Sequence, residues 1–136
     1  AAVMRRALEH FAPGHRLLQG QIRSGTREEF DMMNEKGSLF PTIEALLDEL
    51  SAMPVDTPLY LTLDVDWFDP AAMPGTGTAE PGGYTFREFL PILRFLNERN
   101  FVGCDVVELS PTLDPTGISS VLTSKVVREL LLALSI

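Results

Sequence analysis

The residues whose types and spacing could do chemistry are two aspartates, Asp64 and Asp66, at the end of the apolar run LYLTLDVD. Residues two apart on a strand point to the same side, with alpha carbons about 6 to 7 Å apart, so both carboxylates could reach one ion or a close pair of ions. Hard divalent cations take oxygen ligands, and paired metal ions are a recurring way to activate water. The spacing alone leaves open that both aspartates only cap a solvated strand end.

The loop that follows, WFDPAAMPGTGTAEPGGY, contains more proline and glycine than a helix or a central strand can carry. Asp69 precedes Pro70, and we expect its carboxylate to accept hydrogen bonds from loop amides. The glycines allow the backbone to approach a ligand closely. Polar side chains of the loop that could bind a ligand are those of Thr76, Thr78 and Glu80.

Alternating helices and strands are predicted to position these residues. Helical spacing of apolar residues predicts helices at residues 1–11, 40–53, 86–99 and 119–134. Apolar runs predict strands at residues 17–22, 58–66 and 101–109, and a helical or irregular segment surrounds Met33. This order predicts an α/β fold of three layers, α/β/α, with a mainly parallel sheet in the middle layer. Because ligands bind outside the carboxyl ends of such strands, Asp64, Asp66 and Glu108 are expected at one edge.

The composition narrows the functional class. The chain has 136 residues, of which 45% are hydrophobic and 22% charged, and this balance is typical of one globular domain. A formal charge of -8 leaves no basic face for nucleic acid. We expect no membrane segment and a cytoplasmic location, because no run of about 18 apolar residues and no signal peptide occurs. The single cysteine, Cys104, lies in an apolar run and is expected to be a small core residue.

Three segments carry a resemblance to a known family. LTLDVDWFDPAAMPGTGTAEPGG resembles the signature of the ureohydrolase superfamily (arginases, agmatinases and related amidinohydrolases), in which DxD, DP and P-G-T-G-T-x-x-x-G-G follow one another. DVVELSPTLDPTG is similar to the family's D-x-x-E-x-x-P strand end, and QIRSGTREEF to the G-I-R-S-G-x-R-E-E stretch of agmatinase-like members. The resemblance extends over nearly the whole chain and implies the C-terminal portion of an arginase-like fold.

The resemblance implies hydrolysis of a guanidino compound to an amine and urea at a centre of two Mn²⁺ ions. By position, Asp64 would bridge the two metals and Asp66 would bind one of them. Thr78 and Glu108 would line the substrate pocket, with Glu108 paired to the guanidinium. Arginases carry acids for the amino-acid head group where residues 24–26 here read Ser-Gly-Thr, which favours an agmatine-like substrate.

Other family segments have no counterpart in this sequence. The G-G-x-H and D-A-H-x-D segments, which supply further metal ligands, and a histidine that helps proton transfer are missing, and neither His10 nor His15 matches them. We therefore expect residues 1–136 to be the C-terminal part of a single arginase-like domain that needs an N-terminal half. The fragment alone is expected to bind manganese weakly and to be inactive. Because ureohydrolases commonly form trimers or hexamers, a homo-oligomer is also expected.

Two other functional classes stay open at this point. A DxD strand end also holds Mg²⁺ in phosphoryl and glycosyl transferases, although aspartyl phosphatases normally follow it with Gly-Thr where Trp67 and Phe68 stand here. A noncatalytic, truncated assembly partner is the third possibility, since half a parallel sheet exposes an edge. Trp67 itself departs from the family pattern, and either narrows the pocket or packs under the loop.

Overall fold

The computed structural model describes residues 2–134, which form two compact units with the boundary between Ala52 and Met53. Each unit combines helices with a two-stranded parallel sheet, so the predicted α/β class is confirmed. Whether both units belong to one domain, as the sequence suggests, stays a prediction. Within residues 2–134, no helix has the length and apolar character needed to cross a membrane.

The first unit contains three helices and one short strand pair. Its elements are α1 (Ala2–Leu8), β1 (Gln19–Gly20), α2 (Arg27–Glu35), β2 (Leu39–Phe40) and α3 (Ile43–Ser51). The predicted strand at residues 17–22 was too long, and the predicted helix at residues 40–53 began too early. The helix starts later because Phe40 pairs with β1 and Thr42 is the N-cap, whose hydroxyl accepts the Ala45 N–H at 3.1 Å.

The second unit contains the longer strands and the predicted site. Its elements are β3 (Leu59–Asp64), α4 (Phe86–Asn97), β4 (Phe101–Val107) and α5 (Ile118–Leu134), with 3-10 turns at Val65–Trp67 and Pro111–Leu113. β3 runs parallel to β4 in a register that sets Asp64 opposite Val107. Helix α5 packs against both α4 and β4. Glu108 therefore follows directly after the strand end beside Asp64.

Both strands end earlier than their apolar runs predict. The 3-10 turn begins at Val65, so Asp66 lies in a turn and not on the strand, and the prediction of a common strand for Asp64 and Asp66 was wrong. The cause is local, because the Asp64 carboxylate accepts the Asp66 N–H at 3.0 Å and closes the turn. β4 ends at Val107 because Glu108 has a φ of +69°, outside the range of strands.

An aromatic cluster packs beneath the loop that leaves β3. The Trp67 ring is stacked on Tyr84 with centroids 4.6 Å apart, and it meets the rings of Phe68 and Phe89 edge-on. Trp67 and Phe68 are both buried. Of the two predicted roles for Trp67, the structure shows packing under the loop.

Candidate metal and substrate site

Two carboxylates lie at the end of β3. Asp64 is the last residue of the strand and Asp66 is the second residue of the turn, and both side chains are half-buried. The Asp66 N–H donates to Asp64 Oδ1 at 3.0 Å, which keeps the two residues close despite the end of the strand. The expected pairing of the carboxylates therefore arises from a turn and not from strand geometry.

Thr78, in the loop that follows β3, contacts one of these two carboxylates. Its hydroxyl donates to Asp66 Oδ2 at 2.7 Å, across 12 residues of sequence. This contact joins a residue expected to line a substrate pocket to a residue expected to bind metal. Because the bond orients the Asp66 carboxylate, Thr78 helps to fix the direction in which the remaining lone pairs of Asp66 point.

Glu108 lies at the end of the neighbouring strand in an unusual backbone conformation. Its φ of +69° lies in the left-handed region, which residues other than glycine adopt rarely and at a cost of about 1 to 3 kcal/mol. Its side chain is exposed. Strained residues of this kind cluster at functional sites, because the surrounding structure must hold them in place.

The charges at this end of the sheet repel one another. Partial burial raises the pKa of Asp64, and the negative charges of Asp66 and Glu108 raise it further, against the opposing effect of the Asp66 N–H. The three acids are thus near enough to interact electrostatically. A cation bound between them would remove this repulsion.

Asp69 closes the loop on itself. Its Oδ1 accepts the Ala71 N–H and its Oδ2 accepts the Gly82 N–H, both at 2.9 Å. Its own N–H donates to the Tyr84 carbonyl at 2.9 Å. A single aspartate therefore holds both the beginning and the end of the loop, in the manner expected for an Asp that precedes Pro.

The loop is also attached to the end of β4. Gly75 accepts the Ser110 N–H at 2.7 Å, and Thr76 forms an antiparallel bridge with Leu109, the residue after Glu108. Ser110 was not predicted to take part in the site. No side-chain chemistry marks it, because the contact is made entirely by backbone groups.

The donor atoms fit a hard divalent cation but do not complete a site. Asp64 and Asp66 supply carboxylate oxygens, the ligand type that suits Mn²⁺ and Mg²⁺. Over residues 2–134, however, no set of three or more His, Cys, Asp or Glu side chains is arranged to hold a metal ion. Among the described residues, Asp64 and Asp66 could therefore supply only part of the ligands that such an ion needs.

His10, His15 and Cys104 are further residues of reactive types. His10 and His15 are exposed in the first unit, where the His15 ring packs edge-on against Phe11. Cys104 is half-buried in β4, and partial burial, followed by the charge of Asp105, raises the pKa of its thiol. A raised thiol pKa disfavours the thiolate, so Cys104 has the character of a packing residue and not of a nucleophile.

Comparison with known proteins identifies relatives over nearly the full chain. The model of the Arginase family matches residues 1–133. The agmatinase of Bacillus subtilis (strain 168) is 38% identical over 134 residues, which are 95% of this chain and 46% of that protein. The agmatinase of Bacillus cereus is 43% identical over 116 residues, which are 82% of this chain and 40% of that protein.

Solved structures show the same relationship. A proposed agmatinase from Clostridium difficile has a TM-score of 0.88 and 38% identity, covering 98% of this chain and 50% of that one. The agmatine ureohydrolase of Thermoplasma volcanium has a TM-score of 0.76 and 29% identity, covering 97% of this chain and 46% of that one. The predicted arginase-like fold is thereby confirmed. The chain spans half or less of the length of these relatives.

Proposed function

The chain belongs to the arginase family, and on that premise we propose that it supplies part of the active site of an enzyme that hydrolyses a guanidino C–N bond to give an amine and urea. The observation that carries this proposal is the cluster at the carboxyl ends of β3 and β4. There the Asp66 carboxylate accepts bonds from Thr78, Asp66 donates to Asp64, and Glu108 follows β4.

Asp64 and Asp66 would hold manganese in this proposal. When bound, the metal pair supplies activated water for attack on the guanidinium carbon. Partial burial, and after it the charges of Asp66 and Glu108, raise the pKa of Asp64, and a cation bound beside these acids would offset both effects.

The substrate is oriented by groups of this chain. An exposed carboxylate at Glu108 can accept two parallel N–H bonds from a planar guanidinium, which fixes both its position and its plane. The left-handed backbone of Glu108 places its side chain just beyond the end of β4. Thr78 lines the same place while its hydroxyl holds Asp66.

The residue types at positions 24–26 favour an agmatine-like substrate over arginine. Residues 24–26 are Ser, Gly and Thr, so they offer no acid to an amino-acid head group. The hydroxyl of Thr26 is already used, because it accepts the Glu29 N–H at 3.2 Å as the cap of α2. Similarity to agmatinases from two Bacillus species supports the same choice.

The activity requires ligands beyond the two aspartates. We infer that the missing ligands come from polypeptide outside this chain, corresponding to the N-terminal half of its relatives, and that the complete enzyme is a homo-oligomer, a trimer or hexamer. The incomplete ligand set of the described residues and the share of each relative that the chain spans support this inference. Residues 1–136 alone should bind Mn²⁺ weakly and release no measurable urea.

A chimera tests the proposal. The segment of Bacillus subtilis agmatinase that matches this chain is replaced by residues 1–136, and urea release from agmatine is measured with Mn²⁺. We expect activity, with agmatine preferred over arginine and guanidinobutyrate, and we expect Asp64→Asn to lower it by at least about tenfold. Asp56→Asn is the matched control, because Asp56 is an exposed loop acid outside the cluster.

A folded chimera that binds Mn²⁺ but releases no urea from any of the three compounds would contradict the proposal. That result would favour a noncatalytic assembly partner. Family membership already argues against the alternative of phosphoryl or glycosyl transfer through DxD, because the match includes the loop after the aspartates and nearly the whole chain.

A further inference from the structure

The backbone of Gly75 is held on both sides by hydrogen bonds, an arrangement that we call the Gly75 clamp. Its N–H donates to the Ser119 hydroxyl at 2.7 Å, and its carbonyl accepts the Ser110 N–H at 2.7 Å. Ser119 is completely buried, and a Cβ on Gly75 would lie 2.8 Å from the Ser119 Oγ and 3.0 Å from the Asp114 Cβ. Only glycine fits at this contact, so the loop approaches α5 as closely as a backbone can.

Asp114 fixes the other side of this contact. Its Oδ2 accepts the Ser119 N–H at 2.7 Å, and its Oδ1 accepts the Thr116 N–H at 3.0 Å together with the Thr116 hydroxyl. The residue is 5% exposed. These donors, the Thr116 hydroxyl first, hold the pKa of Asp114 well below its usual range. The carboxylate therefore stays ionised and anchors the first turn of α5.

The Gly75 clamp is directly linked to the ends of both strands at the candidate site. The next residue, Thr76, pairs with Leu109, which follows Glu108. Two residues further along, Thr78 donates to Asp66 at 2.7 Å. The position of Gly75 therefore decides where the loop meets the end of β3 and where it meets the end of β4.

We propose that Ser119 and Asp114 are positioning residues that act through Gly75 to set the loop over the acidic end of β3. The inference rests on the proposed function, since the geometry that they set is that of a metal and substrate site. The side chain of Ser119 bonds to Gly75 and that of Asp114 bonds to Thr116 and Ser119, so we expect their effect on the site to be transmitted through the loop.

The test uses the ¹⁵N-labelled 136-residue chain and Mn²⁺ alone as the probe. Amide hydrogen exchange at residues 75–78 reports the clamp, and paramagnetic broadening of the Asp66 amide during a Mn²⁺ titration reports the site. For Ser119→Ala, we expect exchange to rise and the half-broadening Mn²⁺ concentration to rise, each by about fivefold, the effect of one lost hydrogen bond. Ser120→Ala, the same change at the next position of α5, should alter neither value.

The outcomes separate this inference from the proposed function. If the amide exchange rates of Ser119→Ala at residues 75–78 stay within twofold of the wild type, the Gly75 clamp is overturned. If exchange is faster but the half-broadening Mn²⁺ concentration is unchanged, the positioning role is overturned. If the wild-type chain shows no broadening at Asp66, the metal-binding role proposed for Asp64 and Asp66 fails, while the exchange data still decide whether the Gly75 clamp exists. If Ser119→Ala does not fold, Asp114→Asn, which keeps one carbonyl acceptor, is measured by the same criteria.

Discussion

Two aspartates of this chain, Asp64 and Asp114, have pKa values shifted in opposite directions because their neighbouring groups differ. Partial burial and neighbouring acids raise the pKa of Asp64, whereas the Thr116 hydroxyl and the Ser119 N–H lower that of Asp114. Asp114 is thus fully satisfied by protein donors. Asp64 lies among like charges, and a bound cation would compensate it.

The lowered pKa of Asp114 predicts a specific pH dependence of stability. A carboxylate with a lower pKa in the folded than in the unfolded state stabilises the fold above its ordinary value of 3.8, and this contribution is lost as the pH falls below that value. Asp114→Asn should therefore lower the urea midpoint of unfolding at neutral pH. The difference from the wild type should shrink progressively below about pH 4. A difference that stays constant down to about pH 2.5 would contradict the assigned hydrogen bonds.

At the residue scale, the sequence predicted the site best where an acidic residue follows an apolar run. Asp64, Asp66 and Glu108 could be placed at one end of the sheet because each follows an apolar run. The role of Asp114 went unpredicted, although an Asp followed by Pro and Thr is a known turn pattern. Ser119 could not have been found, because its contact with Gly75 spans 44 residues.

At the scale of elements, the loop between β3 and α4 is held by backbone contacts that leave no room for side chains. Gly83 passes so close to the preceding chain that an added Cβ would lie 2.5 Å from the Asp69 nitrogen and 2.6 Å from the Phe68 carbonyl carbon. Both neighbours are backbone atoms that cannot rotate away. Gly77, in the same loop, has open space around it.

A matched pair of glycine substitutions tests this packing. Gly83→Ala should lower the free energy of unfolding by about 1 to 3 kcal/mol, the usual cost of overpacking, whereas Gly77→Ala should change it by less than about 0.5 kcal/mol. Urea unfolding followed by the fluorescence of Trp67, the single tryptophan, measures both. Equal effects of the two substitutions would show that the close approach at Gly83 is not a constraint.

Long elements were predicted better than short ones, for a physical reason. Helices α4 and α5 were found within two residues of their ends because each repeats its apolar spacing over several turns. β1 and β2 have two residues each, too few for any periodicity to show. The end of β3 depended on one side-chain hydrogen bond, from the Asp66 N–H to Asp64, which an apolar run does not reveal.

At the scale of the whole molecule, charge and length give the site its context. The net charge of -8 favours the approach of cations, including metal ions and guanidinium compounds. The chain spans 46% of the Bacillus subtilis agmatinase and 50% of the Clostridium difficile structure. The family relationship could be predicted because the signature lies within one continuous stretch, whereas the proposed metal site could be predicted only in part, because the described residues hold no group of three or more candidate ligands.

The central claim is that Asp64 and Asp66 bind Mn²⁺, and an electron paramagnetic resonance titration of free Mn²⁺ with the 136-residue chain tests it most directly. We predict weak saturable binding that Asp64→Asn and Asp66→Asn each weaken by at least about tenfold, while Asp56→Asn leaves it unchanged. Equal binding by the wild type and all three variants would contradict the claim, because it would show that Mn²⁺ associates only with the general negative charge of the chain.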